Sequence, residues 1–112
     1  MTHHMNLYNY SFNLIKNGYK TIDMRLNDEK RQTTKIGDTI EFTNTQTNEI
    51  IKCLVTNLYR YSSFTELYKN HNKFSIGYLN NENVNPDDKF AYYSKANIDK
   101  YGVLGIEINL LS

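Results

Sequence analysis

Gly18-Tyr19-Lys20-Thr21-Ile22-Asp23-Met24-Arg25-Leu26 reads as a helix stop, a tight turn and a strand, and Asn27-Asp28-Glu29-Lys30-Arg31 follows at once. Gly18 stands where a left-handed residue would end a helix, a conformation that glycine adopts without steric cost. From Thr21 to Leu26 the residues alternate, with Ile22, Met24 and Leu26 on one side and Thr21, Asp23 and Arg25 on the other. The apolar set is predicted to be core, and the polar set to line an opposite, more accessible face. A lysine, a carboxylate and an arginine this close together are costly unless they meet solvent, one another or a ligand. Asp23 and Arg25 share a face at a spacing of roughly 7 Å along the strand. They can pair with each other or converge on one ligand. The plain alternative is a surface ion-pair cluster that closes one end of the fold.

Upstream, residues 4–7 alternate as a first strand, and residues 10–17 have helical spacing with Phe12, Leu14 and Ile15 as the apolar stripe. Downstream, 27–32 is a charged helical turn and Lys35-Ile36-Gly37-Asp38 a tight turn. Strands are predicted over 39–43 and 49–59, the second with Ile51, Cys53 and Val55 on one face, joined by a polar hairpin loop over 44–48. Ser63-Phe64-Thr65-Glu66 has the form of a capping box and opens a short helix. Residues 70–88 form a long polar insertion. Pro86, the chain's only proline, suits a first helical turn leading to Tyr92 and Tyr93. Residues 101–111 close the chain as a strand with Leu104, Ile106, Ile108 and Leu110 on one face. Short strands with few helices predict a mainly β, α+β domain over 1–112: a small closed or nearly closed barrel with two or three short helices.

A chain of 112 residues makes one domain with one modest core. Its net charge of +1 supplies no broad basic field, so any nucleic-acid contact must come from a local patch. No apolar run approaches a membrane span and no signal-like segment opens the chain, so a soluble, cytoplasmic protein without membrane contact is expected. Cys53 is the only cysteine, which excludes an internal disulfide and a multi-cysteine zinc site. His3 and His4 diverge on a strand and His71 is remote in sequence, so neither a metal nor another cofactor is expected.

The run G-x-K-T-I-acid-x-R at Gly18–Arg25 resembles the signature of the ASCH domains, a branch of the PUA-like β-barrels associated with RNA. The resemblance continues through Arg25-Leu26-Asn27-Asp28-Glu29-Lys30-Arg31, Lys35-Ile36-Gly37-Asp38-Thr39-Ile40-Glu41-Phe42 and Tyr101-Gly102-Val103-Leu104-Gly105-Ile106-Glu107-Ile108, nearly the whole chain. It implies a PUA-like barrel in which this motif borders a cleft proposed to hold a nucleobase or nucleotide. Some small bacterial ASCH proteins are amidohydrolases that remove the acetyl group from N4-acetylcytidine. By that resemblance Lys20 matches their catalytic lysine and Asp23 occupies the position of their nucleophilic threonine, which makes Lys20 and Asp23 the catalytic candidates if the chain is an enzyme. A carboxylate does not form the same acyl ester with the same ease. Glu66 and Glu107 are the carboxylates available for a third role.

The leading expectation is therefore a module that binds RNA, a nucleoside or a nucleotide in a cleft around Lys20, Thr21, Asp23 and Arg25. Lys30 and Arg31 are candidate phosphate contacts at its mouth, against the plain reading of a solvated helix face. Tyr92 and Tyr93, and secondarily Tyr59 and Tyr61, are candidate stacking platforms, against the plain reading of core-edge tyrosines. Asp23→Asn is expected to cost ligand affinity and little stability, whereas an Asp23 buried among charges would make the same change unfold the domain.

Overall fold

Five strands build one mixed sheet in the computed structural model, which describes residues 1–79 and 84–111. They are β1 (Thr2–Leu7), β2 (Ile22–Leu26), β3 (Thr39–Asn44), β4 (Ile50–Tyr61) and β5 (Val103–Leu111), in the order β1-β3-β4-β5-β2. Only β1 and β3 run parallel; the other neighbouring pairs are antiparallel. The sheet curls into a half-barrel. Its edge strands are tied by a side chain rather than a ladder, since Arg25 Nη2 on β2 donates to the Asn6 carbonyl on β1 at 2.9 Å.

The described residues form four α-helices where the sequence predicts two or three: α1 (Asn9–Lys16), α2 (Glu29–Gln32), α3 (Phe64–Asn70) and α4 (Lys95–Tyr101), with a 3-10 helix at Pro86–Ala91. The helix that the sequence does not predict is α4, which takes Tyr101 from the predicted final strand. It buries a single apolar residue, Ile98, so it has no helical stripe to read. Its signals are at its ends, where the Ser94 side chain accepts from Asn97 N–H and Gly102 stops the helix. The Ser63 hydroxyl caps α3 by accepting from Glu66 N–H, and Pro86 sits in the first turn of the 3-10 helix. Within the polar insertion, residues 80–83 lie outside the described residues. No described helix is long and apolar enough to cross a membrane.

Two apolar clusters lie on opposite faces of the sheet. The inner one joins Met5 and Leu7, Ile40 and Phe42, Ile51, Cys53 and Val55, and Leu104, Ile106 and Ile108 under Phe12 and Ile15 of α1. The outer one joins Ile22, Met24 and Leu26 to Phe64 and Leu67 of α3, Ile76 and Ile98. Leu110 keeps the parity of Ile108 and lies opposite Cys53, yet it is 43% exposed.

β4 changes face partway along. Its pairing with β5 slips between Val55 and Asn57, so Val55 lies opposite Ile108 while Asn57 lies opposite Glu107. A bulge inverts the alternation beyond it. Tyr59 and Tyr61 thereby join the outer cluster, not the face of Ile51, Cys53 and Val55.

Candidate functional site

The end of α1 delivers Lys20. With Gly18 in the left-handed region (φ +82°), Gly18 N–H bonds back to Ile15 O, and both Tyr19 and Lys20 N–H bond to Leu14 O. The chain thus folds under the helix before β2 begins. A second segment covers it there: Thr21 and Ile22 N–H both donate to Ser75 O, at 3.0 and 2.9 Å. Gly77 (φ +106°) lies so close that a Cβ on it would stand 3.2 Å from Lys20 Cδ. Lys20 is left 6% exposed, and among the described residues its ammonium has no hydrogen-bond or ion-pair partner. Burial holds its pKa below the ordinary value, Asp23 opposes that shift and Arg25 adds to it.

β2 supplies the other two charges. Asp23 lies opposite Ile106 and Arg25 opposite Leu104 on β5, so both point into the half-barrel. This corrects the expected accessible face. β2 is covered on both sides, by α3 and Ile98 of α4 outside and by the curl of the sheet inside, and Asp23 is 1% exposed. Arg25 Nε donates to Asp23 Oδ2 at 2.7 Å. Burial lowers the Arg25 pKa, but the charge and hydrogen bond of Asp23 outweigh it and hold the guanidinium above its ordinary value.

These three residues open on a cavity of about 520 Å³. The 3-10 helix and the residues after it contribute Lys89, Tyr92 and Tyr93; Asn6, Leu7, Tyr8, Ser11, Met24 and Thr45 complete the lining. Lys89 sits over the rings of Tyr92 and Phe64, with its Nζ 5.6 and 5.8 Å from their centroids. Its pKa is lowered to about 8, first by burial and then by Lys20. Tyr8 and Tyr92, both exposed, meet at the rim with centroids 5.9 Å apart. Tyr93 stacks on Phe64 at 5.7 Å, and burial raises the pKa of its phenol. The charged lining is three cations against one carboxylate.

Of the residues singled out from sequence, Lys20, Asp23, Arg25, Tyr92 and Tyr93 meet at this cavity. Thr21 does not: its side chain is exposed and outside the lining, because the turn after Lys20 puts it on the far side of the chain. Lys30 is exposed and reaches the His4 carbonyl at 3.3 Å. Arg31 pairs with Asp28 at 3.3 Å within α2. Neither lines the cavity, since α2 presents its charges along its own surface. The bulge carries Tyr59 and Tyr61 to the outer face, where both rings contact His71 and the Tyr59 hydroxyl donates to Glu107. Glu107 is thereby engaged away from the cavity, and Glu66 is exposed on α3. Cys53 is buried, and burial followed by Asp23 pushes its thiol up to about 11, which favours the thiol over the thiolate. Among the described residues, no group of three or more His, Cys, Asp or Glu could hold a metal.

Lys89 and Tyr8 are the cavity residues that sequence reasoning missed. Lys89 follows Asp87 and Asp88 in a polar stretch and has the local signature of a solvated turn. Only the packing of that stretch against α3, with Lys89 over the Phe64 ring, brings it to the cavity on which Lys20 opens.

Comparison with known proteins bears on the family and the fold. The sequence matches the ASCH domain family over residues 5–112. The fold is similar to that of hypothetical protein PH0355, at 30% identity and a TM-score of 0.84, with 99% of this chain and 100% of that one covered. Protein PF0455 from Pyrococcus furiosus is also 30% identical, with a TM-score of 0.77 and coverage of 100% and 99%. An ASCH protein from Zymomonas mobilis shares the fold at 10% identity and a TM-score of 0.62, over 96% of this chain and 67% of that one. A search of curated proteins matched none. This chain belongs to the ASCH domain family.

Proposed function

We propose that the cavity binds RNA or a nucleotide-like ligand, with Lys20, Arg25 and Lys89 meeting phosphate or carbonyl oxygens and the rim tyrosines holding a base. One observation carries this reading: Lys20, 6% exposed and without a hydrogen-bond or ion-pair partner among the described residues, faces a cavity that already holds two further cations. An unpaired buried cation costs several kcal/mol, and an anion entering the cavity would relieve that cost. Asp23 orients Arg25 and offsets part of the positive charge. Aromatic stacking adds about 1–3 kcal/mol per base. Few phosphates can be engaged at once, so the salt dependence is shallow, with a slope of roughly −0.7 per phosphate for a single strand.

Calorimetric titration with single-stranded RNA and with nucleotides at low salt tests the reading. Lys20→Met keeps the stem under Gly77 and removes the charge; it should weaken binding by at least about tenfold. Equal binding by this variant, or none by the natural chain, would overturn the assignment.

The depressed pKa of Lys20 supports a second reading, an amidohydrolase acting on an acylated nucleoside such as N4-acetylcytidine, with Lys20 as base or electrostatic stabiliser. Against it, Asp23 is tied to Arg25 and is a poor nucleophile in that state. Release of cytidine from N4-acetylcytidine, abolished by Lys20→Ala, would promote the enzyme reading over the binding one.

A further inference from the structure

The charges around the cavity select among nucleotide ligands. Asp23 and Arg25 satisfy each other at 2.7 Å. Lys20 and Lys89 come from distant parts of the chain, open on the same cavity, and have no ion-pair partner among the described residues. They act on each other electrostatically, since Lys20 is among the causes that lower the Lys89 pKa. The cavity thus presents two cations without an ion pair beside the Asp23–Arg25 pair, whose carboxylate offsets only part of their charge.

An internal phosphodiester brings one negative charge and would leave one of these ammonium groups uncompensated. A phosphate monoester carries about −1.5 to −2 at pH 7 and three strong acceptor oxygens, which can bridge both. The volume, about 520 Å³, lies in the range of pockets that enclose one small ligand. The Tyr8–Tyr92 contact at the rim joins the wall of α1 to that of the 3-10 helix and offers two aromatic faces to a single base.

From this arrangement we infer that the ligand is a nucleotide bearing a terminal phosphate monoester, with the phosphate between Lys20 and Lys89 and the base at Tyr8 and Tyr92. The inference rests on the nucleotide-binding reading and narrows it. Two sources share this chemistry, a free nucleoside monophosphate and the phosphorylated end of an RNA.

The full chain is titrated with adenosine and cytidine 5′-monophosphates, the two unphosphorylated nucleosides, inorganic phosphate, and an RNA tetramer with a 5′-phosphate, a 3′-phosphate or neither. The monoester ligands are expected to bind at least about tenfold more tightly than their unphosphorylated counterparts. Lys20→Met and Lys89→Met should each shrink that gap, and Lys89→Met decides if Lys20→Met does not fold. Tighter binding of the free monophosphates identifies one source, and tighter binding of a phosphorylated tetramer the other; both support the inference. If the unphosphorylated tetramer binds as well as the phosphorylated ones, the inference fails and the nucleotide reading stands. Inorganic phosphate binding as tightly as the monophosphates overturns both the base subsite and this inference. No binding by any probe overturns this inference and the reading beneath it together.

Discussion

Two buried carboxylates of this protein each accept a 2.7 Å bond from a basic side chain, Asp23 from Arg25 and Asp38 from His3, yet their surroundings differ. Around Asp38 the donors match the acceptors. Lys35 N–H reaches Oδ2 at 3.0 Å, and the terminal amine of Met1 stands 3.4 Å from Oδ1. The hydrogen bond to His3, opposed by some burial and helped by those other donors, holds the Asp38 carboxyl down at about 2. This cluster is a joint that fastens β1 to the turn before β3. Around Asp23 the balance is broken, because Arg25 takes the carboxylate and Lys20 is left over. The Asp38 cluster is matched within itself, whereas the surplus cation beside Asp23 is the basis of the proposed anion site.

Asp23 is the more vulnerable of the two carboxylates. Asp23→Asn leaves Arg25 and Lys20 buried without an anion, so the melting temperature should fall sharply, in line with about 3–5 kcal/mol for breaking a buried pair. That reverses the small stability cost expected when Asp23 was read as accessible. A shift of only a degree or two would mean the cavity already screens these charges.

Asp38→Asn should cost less, about 1–3 kcal/mol, because hydrogen bonds are lost and no cation is stranded in the interior. Its pH signature is distinctive. Asp38 has a folded-state pKa of about 2 against an ordinary 3.8, so its stabilisation is complete above about pH 4 and fades as pH falls towards 2. Melting curves of the natural chain and Asp38→Asn should converge across that window. Curves that stay parallel would remove Asp38 from the joint.

Gly77→Ala perturbs the Lys20 side of the cavity. It puts a side chain at φ +106° and a Cβ 3.2 Å from Lys20 Cδ. A loss of about 1–2 kcal/mol is expected from the backbone, together with weaker nucleotide binding because Lys20 must shift. Unchanged affinity would mean that Gly77 serves the turn alone.

The smallest stability effect belongs to Lys20→Met. It should leave the melting temperature unchanged or raise it, since it removes a buried unpaired charge while filling similar volume. A clear drop in the melting temperature would show that Lys20 is a structural partner of Asp23 after all.

Much of the fold was legible because its signals are local. The alternation of Ile22, Met24 and Leu26 reports β2, Gly18 ends α1, and Ser63 and Pro86 mark helix starts, each through spacing or dihedral preference within a few residues. The α4 helix was not legible from its pattern, because one buried residue makes no stripe. The turn of Tyr59 and Tyr61 to the outer face was hidden as well, since a bulge depends on the partner strand.

By itself, then, the sequence determined that a lysine, an aspartate and an arginine cluster where a helix hands over to a strand, and that this chain resembles the ASCH domains. It also determined that Asp23 and Arg25 share a face, which follows from the two-residue period of a strand. Only the tertiary structure decided that this face turns inward, that Thr21, Lys30 and Arg31 stay outside the cavity, and that Lys89 and Tyr8 complete it. The physical reason is that burial and electrostatic surplus are properties of surfaces brought together by the curl of the sheet and the packing of the 3-10 helix. No window of sequence contains both sides of such a meeting.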